Sequence, residues 1–430
     1  VVNNTAFGIG GGLWNQIGAT VTISNSTFAG NQALGSLNFV YPAEGFAAGD
    51  GTAEGGAIDT DGVATVRNCS FAGNLAEGAM DGALDGAHGG AFASDGSVTI
   101  TGCAFAGNEA RGGDGSAGAA GVDGGAGGQA EGGAIAIGDP ATVANINNCV
   151  FTENLSLGGN GGAGGSSADG GRGGIGAAGA VSLADATLTL ANSTFIGNEA
   201  VGGTGGDGGV GGNGGSGGNG RGGAFVHTVT FGSSTPLSNL NNVLMLDNQA
   251  VGGSGGAGGI GGNGGSGGNG QGGAIRALLG TINISNSLLA ENQALGGSGG
   301  AAGVGGIGGS GGNGQGGGLF TTFGVTAVVS NTALLGNEAI GGAGAAGGNG
   351  GSGLGGGIYN DGASPFGTPN LSLLECLVAF NQADGGAAGA GGSAGQGIGG
   401  GVYNLGTLII DPATVIALNH ASTSNDNVFP

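Results

Sequence analysis

Short apolar stretches recur along the chain at intervals too regular for a globular mixture. Aligned on FAGN, they give a column of Asn: Asn31, Asn74, Asn108, Asn154, Asn198, Asn248, Asn292, Asn337, Asn381 and Asn419. Three residues before each Asn stands a large apolar residue: Phe28, Phe71, Phe105, Phe151, Phe195, Met245, Leu289, Leu334, Val378 and Ile416. Eight and ten residues before the Asn the chain is again apolar or small, as at Ile23 and Val21 or Leu190 and Leu188, with Thr22, Thr99, Thr189 and Asn283 between such pairs. Period two marks a strand with one wet face. The column of large residues is therefore the expected core.

A second signature precedes each strand. GGAI opens at Gly55, Gly132 and Gly272, GGAF at Gly89 and Gly222, and GGGL, GGGI and GGGV at Gly316, Gly355 and Gly399. A repeat this short cannot bury its apolar face alone, whereas stacking repeats at about 4.8 Å pairs every strand in parallel and closes a continuous core. The sequence thus predicts an all-β fold, a single-stranded parallel β-helix of about ten turns occupying residues 1–430 as one elongated domain. A further column, Asn25, Asn68, Asn148, Asn192, Asn242, Asn286 and Asn331, lies six residues before the anchor and is interrupted by Gly102, Glu375 and Ala413. Both Asn columns read as corner ladders, because a side-chain amide can bond to its neighbours and to the backbone of a bend. A binding role is the alternative.

The repeated GGAI and FxxN tetrapeptides, FAGN at Phe28, Phe71 and Phe105, FTEN at Phe151 and FIGN at Phe195, resemble the polymorphic outer-membrane protein repeats of bacterial surface proteins. The resemblance covers nearly all of the chain and implies a right-handed parallel β-helix that is exported and often adhesive. Two features depart from that family. The C-terminus carries no amphipathic β-barrel pattern, and long GGx inserts are foreign to the usual repeat.

Those inserts account for the composition, in which 120 of 430 residues are Gly and only 7 are Pro. Collagen requires Gly at every third place and much Pro, so a triple helix is excluded. From each anchor Asn to the next signature the distances are 24, 15, 24, 24, 24, 24, 24, 18 and 18 residues, taking Ala178 as the opening of one signature. All are multiples of three, the repeat of a polyproline II type helix. Phase is kept between arms: Val201, Thr204, Asp207, Val210, Asn213, Ser216 and Asn219 match Val251, Ser254, Ala257, Ile260, Asn263, Ser266 and Asn269. We therefore expect stacked polyglycine II hairpins projecting from one corner, at about 32–54, 75–88, 109–131, 155–177, 199–221, 249–271, 293–315, 338–354 and 382–398. The alternative is that the arms are disordered. Ordering a backbone residue costs roughly 1–2 kcal/mol against about 1 from a net hydrogen bond, so docking of Val210, Ile260 and Val304 is expected to supply the difference. The first arm replaces Gly by Phe39, Val40, Tyr41 and Pro42 and is expected to cap the bundle or touch a partner.

Net charge is −22, and the only cations are Arg67, Arg111, Arg172, Arg221 and Arg276, which excludes nucleic acid and anionic membranes as expected partners. No apolar run is long enough to span a membrane. Cys69, Cys103, Cys149 and Cys376 share one column with Ser26, Ser193, Val243, Ser287, Thr332 and Thr414, a pattern that suits a small inward slot. Free, stacked thiols acting as compact hydrophobes are expected there, because in-register side chains point in parallel and strain an S–S torsion. Asp59, Asp61 and Asp95 read as solvated turn formers, and His88, His227 and His420 stand apart from any nucleophile. One GGxGxD string, Gly202–Asp207, is half of a calcium-binding repeat and occurs once. No catalytic residue, metal or cofactor is expected.

The N-terminal Val1–Phe7 matches the strand before an anchor, the chain opens on Val1-Val2 as a processed, exported product or a cut fragment would, and the last residues read as a trailing polar segment. These features predict a non-enzymatic extracellular protein that stacks head to tail with copies of itself into a surface filament or sheath. The competing reading is a cell-surface adhesin for a host ligand or glycan. Ice binding and polysaccharide-active catalysis rank lower.

Overall fold

The computed structural model describes residues 1–36, 51–80, 86–138, 142–229 and 236–430. Its secondary structure among these residues is all strand, arranged in five parallel sheets of 11, 9, 11, 10 and 10 strands, so the chain is a parallel β-helix. One turn illustrates the rest. Gly176–Ala177 belongs to the return sheet, Val181–Ala184 to the signature sheet and Thr187–Ala191 to the long sheet. Thr194–Ile196 then lies in the phenylalanine sheet and Glu199–Val201 in the departure sheet. An arm leaves after Val201 and comes back at Gly220–Arg221, the return strand of the following turn.

The predicted strand is the long one, and its alternation is that of a sheet with one buried face: in Thr187–Ala191 only Leu188 and Leu190 are buried. They meet the phenylalanine column in one continuous core with the signature residues Ile58, Phe92, Ile135 and Val181. Register carries each turn onto the next, Phe105 on Phe151 and Phe151 on Phe195. The five Phe rings stack nearly parallel, with centroids 5.1, 4.6, 5.0 and 4.5 Å apart from Phe28 to Phe195. Strand spacing imposes this face-to-face stack, and burying each ring contributes roughly 2–3 kcal/mol.

The signature glycines answer to two separate demands. The first of each pair has positive φ, +58° at Gly55 and +60° at Gly222, a conformation that favours Gly. A Cβ on the second would meet backbone: at Gly223 it would lie 2.1 Å from the Gly273 oxygen. Ala178 stands at the first place with φ +56° and is the non-glycine residue there.

Departure and return sheets pack against each other as a narrow neck. Its filling is a separate cluster of Ala33, Ala53, Ala76, Ala87, Ala110 and Ala130, and Ser156 bridges the neck by donating to the Ala130 carbonyl at 2.8 Å. The expected arm ranges therefore include strand at both ends: within 199–221, only 202–219 lies outside the sheets. The first arm's Phe39–Pro42 falls outside the described residues.

The C-terminal segment does not trail away. Val428–Phe429 pairs with Val402–Asn404 as the last strand of the signature sheet, and Asn427 Oδ1 accepts from Asn419 Nδ2 at 3.1 Å, taking the place of the next anchor. At the other end Asn4 Nδ2 donates to Asn31 Oδ1 at 2.9 Å. The anchor column thus extends one place beyond the FAGN alignment in each direction.

Candidate functional site

The anchor asparagines are buried and fully bonded. Asn198 donates from its backbone N–H and from Nδ2 to Asn248 Oδ1, at 3.0 and 2.9 Å, and from Nδ2 to the Phe151 carbonyl at 3.0 Å. Its own Oδ1 accepts from Asn154, and its carbonyl from Gln249. The same contacts repeat along the column, so these side chains have no free valence for a ligand. They bind the corner where the phenylalanine strand turns into the departure strand.

The second Asn column serves a different need. Asn25, Asn68, Asn148, Asn192, Asn242, Asn286 and Asn331 all have φ between 44° and 55°, and the interruptions Gly102 and Glu375 share that left-handed conformation, at 65° and 55°. Asn tolerates it better than most side chains. Its amides are exposed and form pairs, not one ladder: Asn242 donates to Asn192 and Asn331 to Asn286, whereas Asn192 and Asn286 donate to Asn147 and Asn241. With Leu244, Leu288 and Leu377 opposite, Asn192, Asn242, Asn286 and Asn331 wall an open furrow of about 850 Å³ along the axis, floored by Ser193, Ser287, Thr332 and Cys376.

That floor is the cysteine column. Its four thiols are free and buried, but packing alone does not describe them. Except at Val243, the thiol or hydroxyl accepts from the N–H one turn earlier: Cys69 N–H donates to Cys103 Sγ at 3.4 Å, Cys149 N–H to Ser193 Oγ at 3.1 Å and Ser287 N–H to Thr332 Oγ1 at 3.2 Å. From Ser26 to Cys376 these thiols and hydroxyls also donate to the carbonyl two residues back, as Ser193 does to Ala191 at 2.8 Å. Hydroxyl and thiol share this bonding capacity. Burial pushes the Cys69 and Cys376 thiols up, which keeps the donor proton in place.

Every third residue of an arm does one job. In the arm 202–219 the first Gly of each triplet bonds to the same layer of the next arm: Gly202, Gly205 and Gly208 donate to Val251, Ser254 and Ala257 carbonyls at 2.8, 2.9 and 2.8 Å. The second Gly bonds across layers, giving a zigzag in which Gly268 donates to Gly253, Gly253 to Gly218, Gly218 to Gly203 and Gly203 to Gly174. Side chains occupy the third direction. Several cap a backbone N–H of the following arm: Asp169 Oδ1 accepts from Asn213 at 2.7 Å, Asn213 from Asn263 at 2.9 Å and Asn263 from Ile307 at 2.8 Å. Three bonding directions repeating every three residues are those of polyglycine II, here folded into a two-layer blade.

Along the inner stretches of the arms both inner places demand glycine, whereas some places take a small residue instead, as at Ala168, Ala302 and Ala345. A Cβ on Gly203 would lie 1.9 Å from the Gly159 oxygen, and one on Gly202 2.0 Å from the Gly218 oxygen. Arms reverse in four-residue turns, as where Gly212 N–H donates to the Gly209 carbonyl and Gly211 takes φ +84°. Val210, Ile260 and Val304 sit just before such glycines and are 62, 65 and 83% exposed. They do not dock. The backbone bonds of both layers and the side-chain caps hold the blade instead.

Blade and β-helix meet in a concave angle. There the outward residues of the signature strands face the second residues of the return strands, so from Ile58–Thr60 to Ile358–Asn360 the outward second residue of each signature strand is buried as well. Asp59 lies here, 3% exposed on a strand, not in a solvated turn. Burial first, then the Glu54, Asp61 and Asp95 charges, hold its carboxyl well above the usual range. Farther along come Arg221 and Arg276, then Phe320, Tyr359, Tyr403 and Phe429, whose rings stack 5.0, 5.2 and 4.7 Å apart. His227 is enclosed between Ser238 Oγ at 2.8 Å and the Leu279 carbonyl at 3.0 Å. The described residues hold no group of three or more His, Cys, Asp or Glu placed to ligate a metal. Comparison with family models, curated proteins and solved structures finds no match for the chain.

Proposed function

We propose that the protein is a non-enzymatic extracellular structural protein that works by displaying a rigid glycine blade along a β-helical spine. The observation that carries this reading is the bonding of the arms: inner N–H groups are spent on neighbouring arms, and the variable side chains stand on the outer faces. A catalytic site needs convergent polar groups with unspent valence, whereas the anchor, slot and blade columns bond chiefly to themselves. The GGAI and FxxN motifs each do a definable job in the rung, in keeping with a surface protein of the polymorphic outer-membrane protein repeat type.

Assembly by end-to-end stacking belongs to the same proposal. The first turn exposes Val2, Phe7 and Ile17, and the last exposes Ile409, Val415 and Leu418. Residues 422–429 already run across the last departure, return and signature edges, so an end contact would use the long and phenylalanine sheets. Electron microscopy and light scattering of the purified chain test this: filaments that Ile409→Lys with Leu418→Lys abolishes are expected, and a stable monomer at high concentration overturns it. The open furrow favours a second reading, an adhesin that receives an extended ligand such as a glycan between its amide and leucine walls. Ligand binding by a monomer that never assembles would favour that reading.

A further inference from the structure

Two of the five cations lie one turn apart in the concave angle between blade and spine. Arg276 is on the outward side of the signature strand Ile275–Leu278, in register with Val226 and Phe320. Arg221 is on the return strand Gly220–Arg221, in register with Ala177 and Gln271. Arg276 is only 6% exposed, while Arg221 keeps contact with solvent. The Nε of each is buried without a hydrogen-bond partner, and neither guanidinium takes part in an ion pair among the described residues.

The surrounding groups do not compensate for this. Asp361 acts on Arg276 from a distance but accepts from Thr322 Oγ1 and Gly362 N–H, at 2.7 and 2.8 Å. Glu131 acts on Arg221 in the same way and accepts from Ser182 Oγ at 3.5 Å. The Phe320 ring lies 5.7 Å from the Arg276 Cζ, and a ring face attracts the cation but offers no acceptor in the guanidinium plane. Burial, and after it the Arg221 charge, disfavours the charge on Arg276. Arginine does not escape by losing its proton. A buried charge of this kind is stabilised by a counter-charge that accepts its hydrogen bonds.

We propose that Arg221 and Arg276 form a binding site for an oxyanion, a carboxylate or sulfate group, entering from the solvent side of Arg221. The amide pair beside the site, Gln271 Nε2 donating to Gln315 Oε1 at 3.0 Å, continues a polar lining along the groove toward Tyr359. The site does not depend on the assembly reading. Its ligand is a free anion or an acidic saccharide, which share this chemistry.

The test is thermal unfolding of the whole chain in rising sodium sulfate, with ionic strength held constant by sodium chloride. Wild type is expected to show a saturable rise in midpoint, and Arg221→Gln to need at least about tenfold more sulfate, since one of two charge-assisted partners is lost. Arg172→Gln, an exposed arm position, is expected to match wild type. Arg221→Gln carries the test because loss of buried Arg276 endangers folding itself. Absence of a saturable rise, or the same rise in Arg221→Gln, overturns the proposal. Calorimetric titration with a sulfated or uronate oligosaccharide then identifies the source: tighter binding than sulfate alone assigns a saccharide, equal binding assigns the free anion, and both uphold the site.

Discussion

Asn198 Oδ1 accepts two hydrogen bonds from a single residue, Asn154: one from its backbone N–H at 3.1 Å and one from its Nδ2 at 2.8 Å. Repeated along the column, this clamp holds consecutive turns at one corner. It also explains why no other polar residue replaces Asn there. Asp lacks the donor for the Phe carbonyl, Ser lacks the reach, and Gln is a methylene too long.

Replacement Asn198→Ala leaves the Asn154 N–H and the Phe151 carbonyl unpaired inside the protein. A loss of about 3 kcal/mol is expected, read as a lower urea midpoint by circular dichroism. A midpoint unchanged from wild type would remove the column's structural role.

Gly206→Ala would place a methyl 1.9 Å from the Gly162 oxygen. Faster amide exchange in that arm and the two beside it is the expected outcome, measured by mass spectrometry. Ser254→Ala, at an outward place of the next arm, is expected to leave exchange as it is.

Ala178 is held at φ +56° where the equivalent residues are Gly. Left-handed backbone costs a residue with Cβ roughly 1–2 kcal/mol, and the lost methyl burial offsets part of the gain. Ala178→Gly should therefore stabilise by about 0.5–1 kcal/mol, seen as a higher thermal midpoint.

Burial lowers the His227 pKa from 6.5 to about 4, opposed by the hydrogen bond to the Leu279 carbonyl. The unfolded chain takes up a proton below pH 6.5 that the folded chain refuses until about pH 4. Stability from this group is thus present above pH 6.5 and is lost as pH falls toward 4, by about 3 kcal/mol in full. His227→Gln should flatten the stability profile across that window; an unaltered slope would contradict the assignment.

The rung was legible in the sequence because its columns are strict. Phe28 to Leu334, the anchors and the signature glycines each meet one unvarying demand, and a demand repeated in every turn leaves a readable column. The blade was legible in its period for the same reason. What holds it was not: Asp169, Asn213 and Asn263 look like arbitrary polar choices in one dimension, and only stacking shows each capping an N–H on the next arm. Val210 misled because apolar character suggested docking, when its place beside Gly211 belongs to an exposed turn. The groove escaped notice since Asp59, Arg276 and Tyr359 are chemically unrelated, and burial on both faces of the signature sheet arises from the blade folding over it. The slot column showed its size in Cys, Ser and Thr but hid its hydrogen bonding behind Val243.

Amide hydrogen exchange across residues 158–175, 202–219 and 252–269 tests the central claim most directly, namely that the arms are a bonded polyglycine II blade. Protection of the inner glycine amides comparable to that of the long strands, such as Thr187–Ala191, is the result expected. Exchange at the rate of an unstructured chain throughout those segments, with the long strands still protected, would contradict it.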